Sequence, residues 1–197
     1  MNNIELFLPF KPFYITQKWG NPNPAYAAQF NNPDFQLHNG TDANVGQAYS
    51  SSYYNKYQVY CPVKGFRVHK VQFYPQGGGN EIWLISKEKV KMFDLECYAY
   101  LVLCHADKVL VPAGYEPELG ELIMIADNTG FSTGVHTHIG LYRVDFDGKN
   151  ITFLDKNKAN GSFSPELFFT KEYAVDMSSF PTAVKSAFRY YNYLLGL

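Results

Sequence analysis

Two short stretches restrict this chain more than any other part of it. They are His38-Asn39-Gly40-Thr41-Asp42 and, about a hundred residues later, His136-Thr137-His138. The first has the form H-x-G-x-D and the second H-x-H, and a fold that uses both must bring two distant segments to one centre. Together they offer three residues able to ligate one metal ion, with one histidine left over. Three protein ligands leave a tetrahedral zinc ion one open position for water, which is the arrangement of a catalytic centre rather than a structural one. The chain has only five histidines, and three fall in these two stretches.

On a strand, residues two apart project from the same face, so His136 and His138 point together. His38 and Asp42 stand four apart around Gly40, and a glycine there permits backbone angles that let a turn bring both side chains to one centre. Imidazole nitrogen and carboxylate oxygen are both good zinc ligands. Either motif alone is weak evidence, because a pair of histidines is more often a surface or core accident. Two of them, each marked by glycine and separated by a β-rich segment, are much stronger. Cupins also use H-x-H, with a glutamate a few residues on. Ile139-Gly140-Leu141-Tyr142-Arg143-Val144 contains none, which sets that fold aside.

The segment between the motifs reads as many short strands separated by turns, which argues for an antiparallel β structure. Candidate strands are Ile15–Gly20, Val59–Val63, Phe66–Phe73, Glu81–Ile85, Cys97–His105, Leu122–Ala126 and Val135–Tyr142. Pro75-Gln76-Gly77-Gly78-Gly79-Asn80 is a hairpin loop, a charged Lys/Glu turn precedes Cys97, and Asn128–Gly134 is a tight Gly-rich loop. Residues up to about Pro33 form an extended lead-in with turns. Gln47 to Tyr57 is polar, rich in Tyr and Ser, and reads as a surface loop. Near the C-terminus, Ser178-Ser179-Phe180-Pro181 resembles a helix cap, and Val184, Ala187, Phe188, Tyr191, Leu194 and Leu195 follow at helical spacing. The expected organisation is one domain over residues 1–175, core about 12–170, and an amphipathic helical extension over 176–197.

Bulk properties exclude several classes. A net charge of −1 argues against a phosphate-neutralising surface, so nucleic acid is not an expected partner. No stretch approaches the ~18 consecutive apolar residues of a membrane span. Cys61, Cys97 and Cys104 are odd in number and lack C-x-x-C spacing, so they read as buried small apolar residues. Cys104 precedes His105, but strand neighbours point to opposite faces and the two are not expected to cooperate. The 16 Tyr and 16 Phe suit either cross-strand pairs in a β core or a wet amphipathic groove. The N-terminus shows no basic region followed by an apolar run, hence no visible signal peptide.

At this point the chain resembles the M23 zinc metallopeptidases, the lysostaphin/LytM-like peptidoglycan endopeptidases. That family has H-x-G-x-D, then a strand ending in a lone His, then a Gly-rich S-T-G turn and H-x-H. Here these are His38–Asp42, Tyr100-Leu101-Val102-Leu103-Cys104-His105, and Ser132-Thr133-Gly134-Val135-His136-Thr137-His138. Val109, Gly120 and Asn128-Thr129-Gly130 match the connecting series. Ile15–Gly20 resembles the opening strand, and Asn160–Phe168 the closing segment. The likeness covers roughly residues 12 to 170.

The resemblance implies a mainly β, antiparallel fold of the lysostaphin-like type, with His38, Asp42 and His138 as Zn2+ ligands. His105 and His136 would be the catalytic non-ligand histidines, either being the base. The implied activity is hydrolysis of peptide stems or cross-bridges of bacterial peptidoglycan by a metal-activated water. The implied place of action is the cell wall, reached by holin-type release from the cytoplasm, on a phage particle, or after removal of a signal. Two other readings stay open: a wall-binding or phage-structural module with a structural zinc, and a zinc peptidase with a protein substrate. The Gln47–Tyr57 stretch departs from the family as an insertion that bears on substrate preference. Ile139-Gly140 replaces the family's frequent Phe-Glu. His69 matches no motif position and reads as a surface strand histidine.

Overall fold

The computed structural model describes residues 3–46 and 56–175. Before residue 47 come strands β1 (Leu6–Leu8) and β2 (Tyr14–Gln17), the short helix α1 (Ala25–Gln29) and β3 (Thr41–Asn44). After it come β4 (Tyr57–Tyr60), β5 (Phe66–Tyr74), β6 (Gly79–Ser86), β7 (Val90–Met92) and β8 (Leu95–Val109). β9 (Leu122–Ala126), β10 (Thr137–Phe146), β11 (Ile151–Phe153), β12 (Ser162–Phe163) and β13 (Phe169–Tyr173) complete the series. Eleven strands join one antiparallel sheet whose main path runs β2-β3-β10-β8-β6-β5. β1 and β13 pair separately and in parallel. The mainly β, antiparallel architecture implied by the turn-punctuated strands is what the chain builds.

The sheet is organised around β8, a strand of 15 residues that pairs with β6, β7, β9 and β10. Cys97, Ala99, Leu101 and Leu103 project into the main core with Ile82 and Leu84 of β6 and Ile139 and Leu141 of β10. Tyr100, Val102 and Cys104 project the opposite way, against Ile85, Tyr142 and Val144, with Trp83 packed on them. Both faces are covered, so β8 reads as a continuous apolar run rather than an alternating one. Full burial of a leucine-sized side chain contributes about 1.5–3 kcal/mol, and Leu84, Leu101, Leu103, Ile139 and Leu141 all reach it.

Several local expectations change. The charged turn before Cys97 holds an extra strand, β7, in a hairpin with the start of β8. Tyr57, placed in a loop by its neighbours, opens β4 and buries its ring against Phe10. The expected helix over 176–197 and residues 47–55 of the expected loop lie outside the described residues. His69 is half-buried on β5, with its ring against Tyr100 and Phe146. All three cysteines are free and buried, as expected. No helix among the described residues is long and apolar enough to cross a membrane.

Candidate metal centre and groove

Strand register delivers two of the expected ligands. β3 and β10 pair antiparallel with Asp42 opposite His138. His38 lies just before β3, its backbone N–H donated to Asn21 and its carbonyl accepting from Gly20. The side chains converge: His38 Nε2 lies 3.1 Å and His138 Nδ1 2.9 Å from Asp42 Oδ1. The two ring nitrogens are 3.1 Å apart. A tetrahedral zinc ion with bonds of about 2.0–2.1 Å separates its ligand atoms by roughly 3.3 Å, so this triangle has close to the required size. The donor chemistry also fits. His38 Nδ1 stands 3.0 Å from the Lys18 carbonyl, where it can only donate, which leaves a lone pair on Nε2 facing the other two donors. The three residues are buried and form a cluster that could hold a metal ion.

Gly40 is needed here for a different reason from the one its motif suggests. It is absent from the residues with positive φ. A Cβ on it would lie 2.5 Å from both His138 Cε1 and the Ile139 carbonyl, and 2.6 Å from His138 Nε2. The glycine makes room for the imidazole of the other motif rather than supplying an unusual turn.

His105 and His136 reach the same centre from irregular backbone. The β6–β8 register shifts between Asn80 and Ile82, opposite Ala106 and Leu103, so β8 bulges at Cys104-His105. His105 has φ +67°, in the left-handed region, which costs a non-glycine residue about 1–3 kcal/mol. The conformation is held by His105 N–H donating to Gly78 O at 2.7 Å and by its carbonyl accepting from Asp127 N at 3.0 Å. Its Nδ1 donates to Thr129 O at 2.8 Å, leaving the lone pair on Nε2. His136 stands just before β10, in an isolated bridge with Asp127. Its Nδ1 donates to Gly134 O at 2.8 Å, and its Nε2 is 3.5 Å from Asp42 Oδ2. His136 and His138 do turn to one side, and Asp42 offers one oxygen to each. The His105 and His136 ring centroids are 4.6 Å apart.

Charge in the cluster follows from burial and from these partners. Burial alone would raise the Asp42 pKa, but hydrogen bonds from His138 and His38 outweigh it and hold the carboxyl well below its usual range. Burial pulls His38 down, and its bond to Asp42 overcomes that and raises it. For His138 burial prevails over Asp42, and the pKa falls. Burial, then the neighbouring His136 and His138, take His105 down to about 3. A neutral imidazole is the form able to accept a proton.

His105 and His138 of the cluster line a groove of about 370 Å³. Tyr26, Phe30, Phe35, Phe131, Trp83 and Tyr142 line it as well. The aromatic residues thus meet both descriptions, since Trp83, Tyr100 and Tyr142 also pair across β6, β8 and β10. The bulge corrects one expectation: strand alternation fails at Cys104-His105, and both residues line the groove. Burial pushes the Cys104 thiol well up, so it stays protonated. The expected Pro75–Asn80 hairpin loop joins β5 to β6, but sequence reading missed that its Gly77 and Gly78 carbonyls hold the backbone of Phe131 and His105. It also missed Glu81, whose carboxylate in an otherwise apolar strand was the available signal.

No protein-family model matches the chain, and no curated protein matches its sequence. Solved structures do match. A zinc-containing peptidase from Vibrio cholerae aligns at 19% identity and TM-score 0.51 over 77% of this chain and 39% of its own. The antimicrobial peptidase lysostaphin from Staphylococcus simulans aligns at 16% identity and TM-score 0.55, over 85% of this chain and 55% of its own. Its catalytic domain aligns at 16% and 0.51, over 79% and 91%. A structure of the SpoIIQ–SpoIIIAH pore forming complex aligns at 14% and 0.54, over 86% and 93%. The chain spans well under two thirds of the Vibrio peptidase and of whole lysostaphin. These likenesses show that the chain has the lysostaphin-like fold.

Proposed function

We propose that this protein is a zinc-dependent endopeptidase acting on peptide stems or cross-bridges of bacterial peptidoglycan. The observation that carries the reading is the convergence of three metal-ligating atoms and two further histidines, of which His105 and His138 line one groove. His38 Nε2, Asp42 Oδ1 and His138 Nδ1 would hold the ion. When bound, zinc supplies a Lewis acid that polarises the scissile carbonyl and makes water acidic enough to attack at neutral pH.

The protein's own groups supply the rest. The Nδ1–H of His105 is committed to Thr129, which leaves the Nε2 lone pair to take the proton of the attacking water and return it to the leaving amine. His136 has Nδ1–H on Gly134 and Nε2 facing Asp42 Oδ2. When protonated, that Nε2 exchanges its Asp42 contact for the carbonyl oxygen and donates to the negative charge that develops there. The aromatic walls hold the peptide and limit water around it.

Digestion of purified cross-linked peptidoglycan tests the reading. New amino termini are expected with zinc-loaded protein and not with His138→Ala. No new termini with the zinc-loaded protein would defeat it, and cleavage confined to a soluble protein would redirect it to another peptidase substrate. The likeness to the SpoIIQ–SpoIIIAH complex favours a second reading, a module in which this fold assembles with other chains and the ion serves structure alone. In that case chelation lowers the melting temperature and no bond is cut.

A further inference from the structure

The groove lining includes an acid that the proposed chemistry does not use. Glu81 shares one face of β6 with Trp83 and Ile85 and is 2% exposed. Its Oε2 accepts from the Trp83 indole N–H and from Gln72 Nε2. The Gly78 N–H bonds the carboxylate as well. Burial raises its pKa, opposed by these bonds. All three partners are donors, so the form they hold is the ionised one.

This anion has no close cation to compensate it. Among the described residues, no Lys or Arg forms an ion pair with it or lines the groove, where Glu81 is the single carboxylate. Lys70 acts on it only through a weaker charge effect. A buried charge without a counter-charge is costly, and a cation brought beside it is correspondingly favoured. The path to that cation runs through Trp83. Its indole N–H is held by the carboxylate, which leaves the ring richer in electrons, and its ring packs on Tyr100 at 4.9 Å and on Tyr142 at 5.9 Å. Electron-rich aromatic faces attract ammonium groups, most strongly where water is excluded. Tyr26 and Phe131 line the same groove.

Resting on the peptidase reading, we propose that Glu81 and Trp83 form a recognition subsite for the cationic primary amine of a diamino-acid residue in the peptide substrate. The amine sits against the Trp83 ring with the Glu81 carboxylate behind it. A neutral side chain of equal length gains the apolar contact and loses the charge.

The Trp83 indole N–H resonance in heteronuclear NMR of the zinc-loaded protein reports this subsite directly, and Trp83→Phe assigns it. Three probes are titrated: Nα-acetyl-lysine methylamide, its Nε-acetylated form, and the norleucine equivalent. The free amine is expected to bind at least tenfold more tightly than either neutral probe. Glu81→Gln, checked for folding by its melting curve, is expected to remove that preference. Equal affinities for the three probes, no shift with any of them, or full preference in Glu81→Gln would each overturn the subsite. The wild-type comparison decides even where the variant does not fold. Amine preference without cleavage of peptidoglycan would leave the subsite standing and sink the peptidase reading. Cleavage without amine preference would do the reverse.

Discussion

The two halves of the histidine cluster are built by opposite means. His138 and Asp42 face each other because two regular strands pair in register, and His38 is placed by the chain that leads into one of them. His105 and His136 stand where regular pairing fails, one in a left-handed bulge and the other ahead of its strand. The first half is held by a ladder that would form with many side chains. The second is held by specific carbonyls: Gly78 and Thr129 for His105, and Gly134 for His136. In the proposed reading the first half holds an ion and the second moves protons. His38 is also fixed in one tautomer, by the Lys18 carbonyl, but only His105 takes its orientation from left-handed backbone, at the cost of strain.

Substitutions can break this contrast, starting with the largest expected effect. Asp42→Ala removes the carboxylate shared by both halves, Oδ1 toward His38 and His138 and Oδ2 toward His136. It should abolish metal retention and reduce cleavage to background, read by metal analysis of the purified protein and by release of amino termini. His105→Asn should keep the metal and lower kcat by about 10²- to 10⁴-fold, the usual contribution of a general base. Loss of metal from that variant would show that the halves are not separable. Gly40→Ala forces a methyl into the His138 ring and the Ile139 carbonyl. A destabilisation of about 1–3 kcal/mol is expected from such overpacking, together with weaker metal binding in competition with a chelator. Thr129→Val deletes the hydroxyl that bonds Asn80 N and Ala106 O, while keeping the carbonyl that orients His105. It should cost about 1 kcal/mol in denaturant unfolding and leave the metal in place.

The same contrast explains what the sequence discloses. His38, Asp42, His136 and His138 are legible because a two-residue spacing on a strand and a glycine-marked turn are local signals. The long apolar run around Leu101 and Leu103 likewise announces a strand buried on both faces. The bulge at His105 is not legible, since no residue near it demands left-handed backbone and the shift arises from pairing with β6. Strand alternation therefore places Cys104 and His105 on opposite faces, and the fold does not. The role of Gly40 is hidden for a related reason. Its requirement comes from the His138 ring, which lies 98 residues away in the chain. Glu81 sits in plain view as an acid among Asn80, Ile82 and Trp83, but its meaning depends on the donors that the fold gathers around it.

The pairing of β3 with β10 joins residues near 42 to residues near 138, with β4 to β9 lying between them in the chain. Closing so long a loop loses entropy that only later contacts return, and a sheet dominated by such pairings folds slowly. The three candidate ligand atoms are not brought together until that closure is complete. A cation that favours the assembled triad would consequently slow unfolding more than it speeds folding, because its contacts are absent from the transition state. Its presence would then be felt as a longer lifetime of the native chain, measurable as a fall in unfolding rate with an unchanged refolding rate.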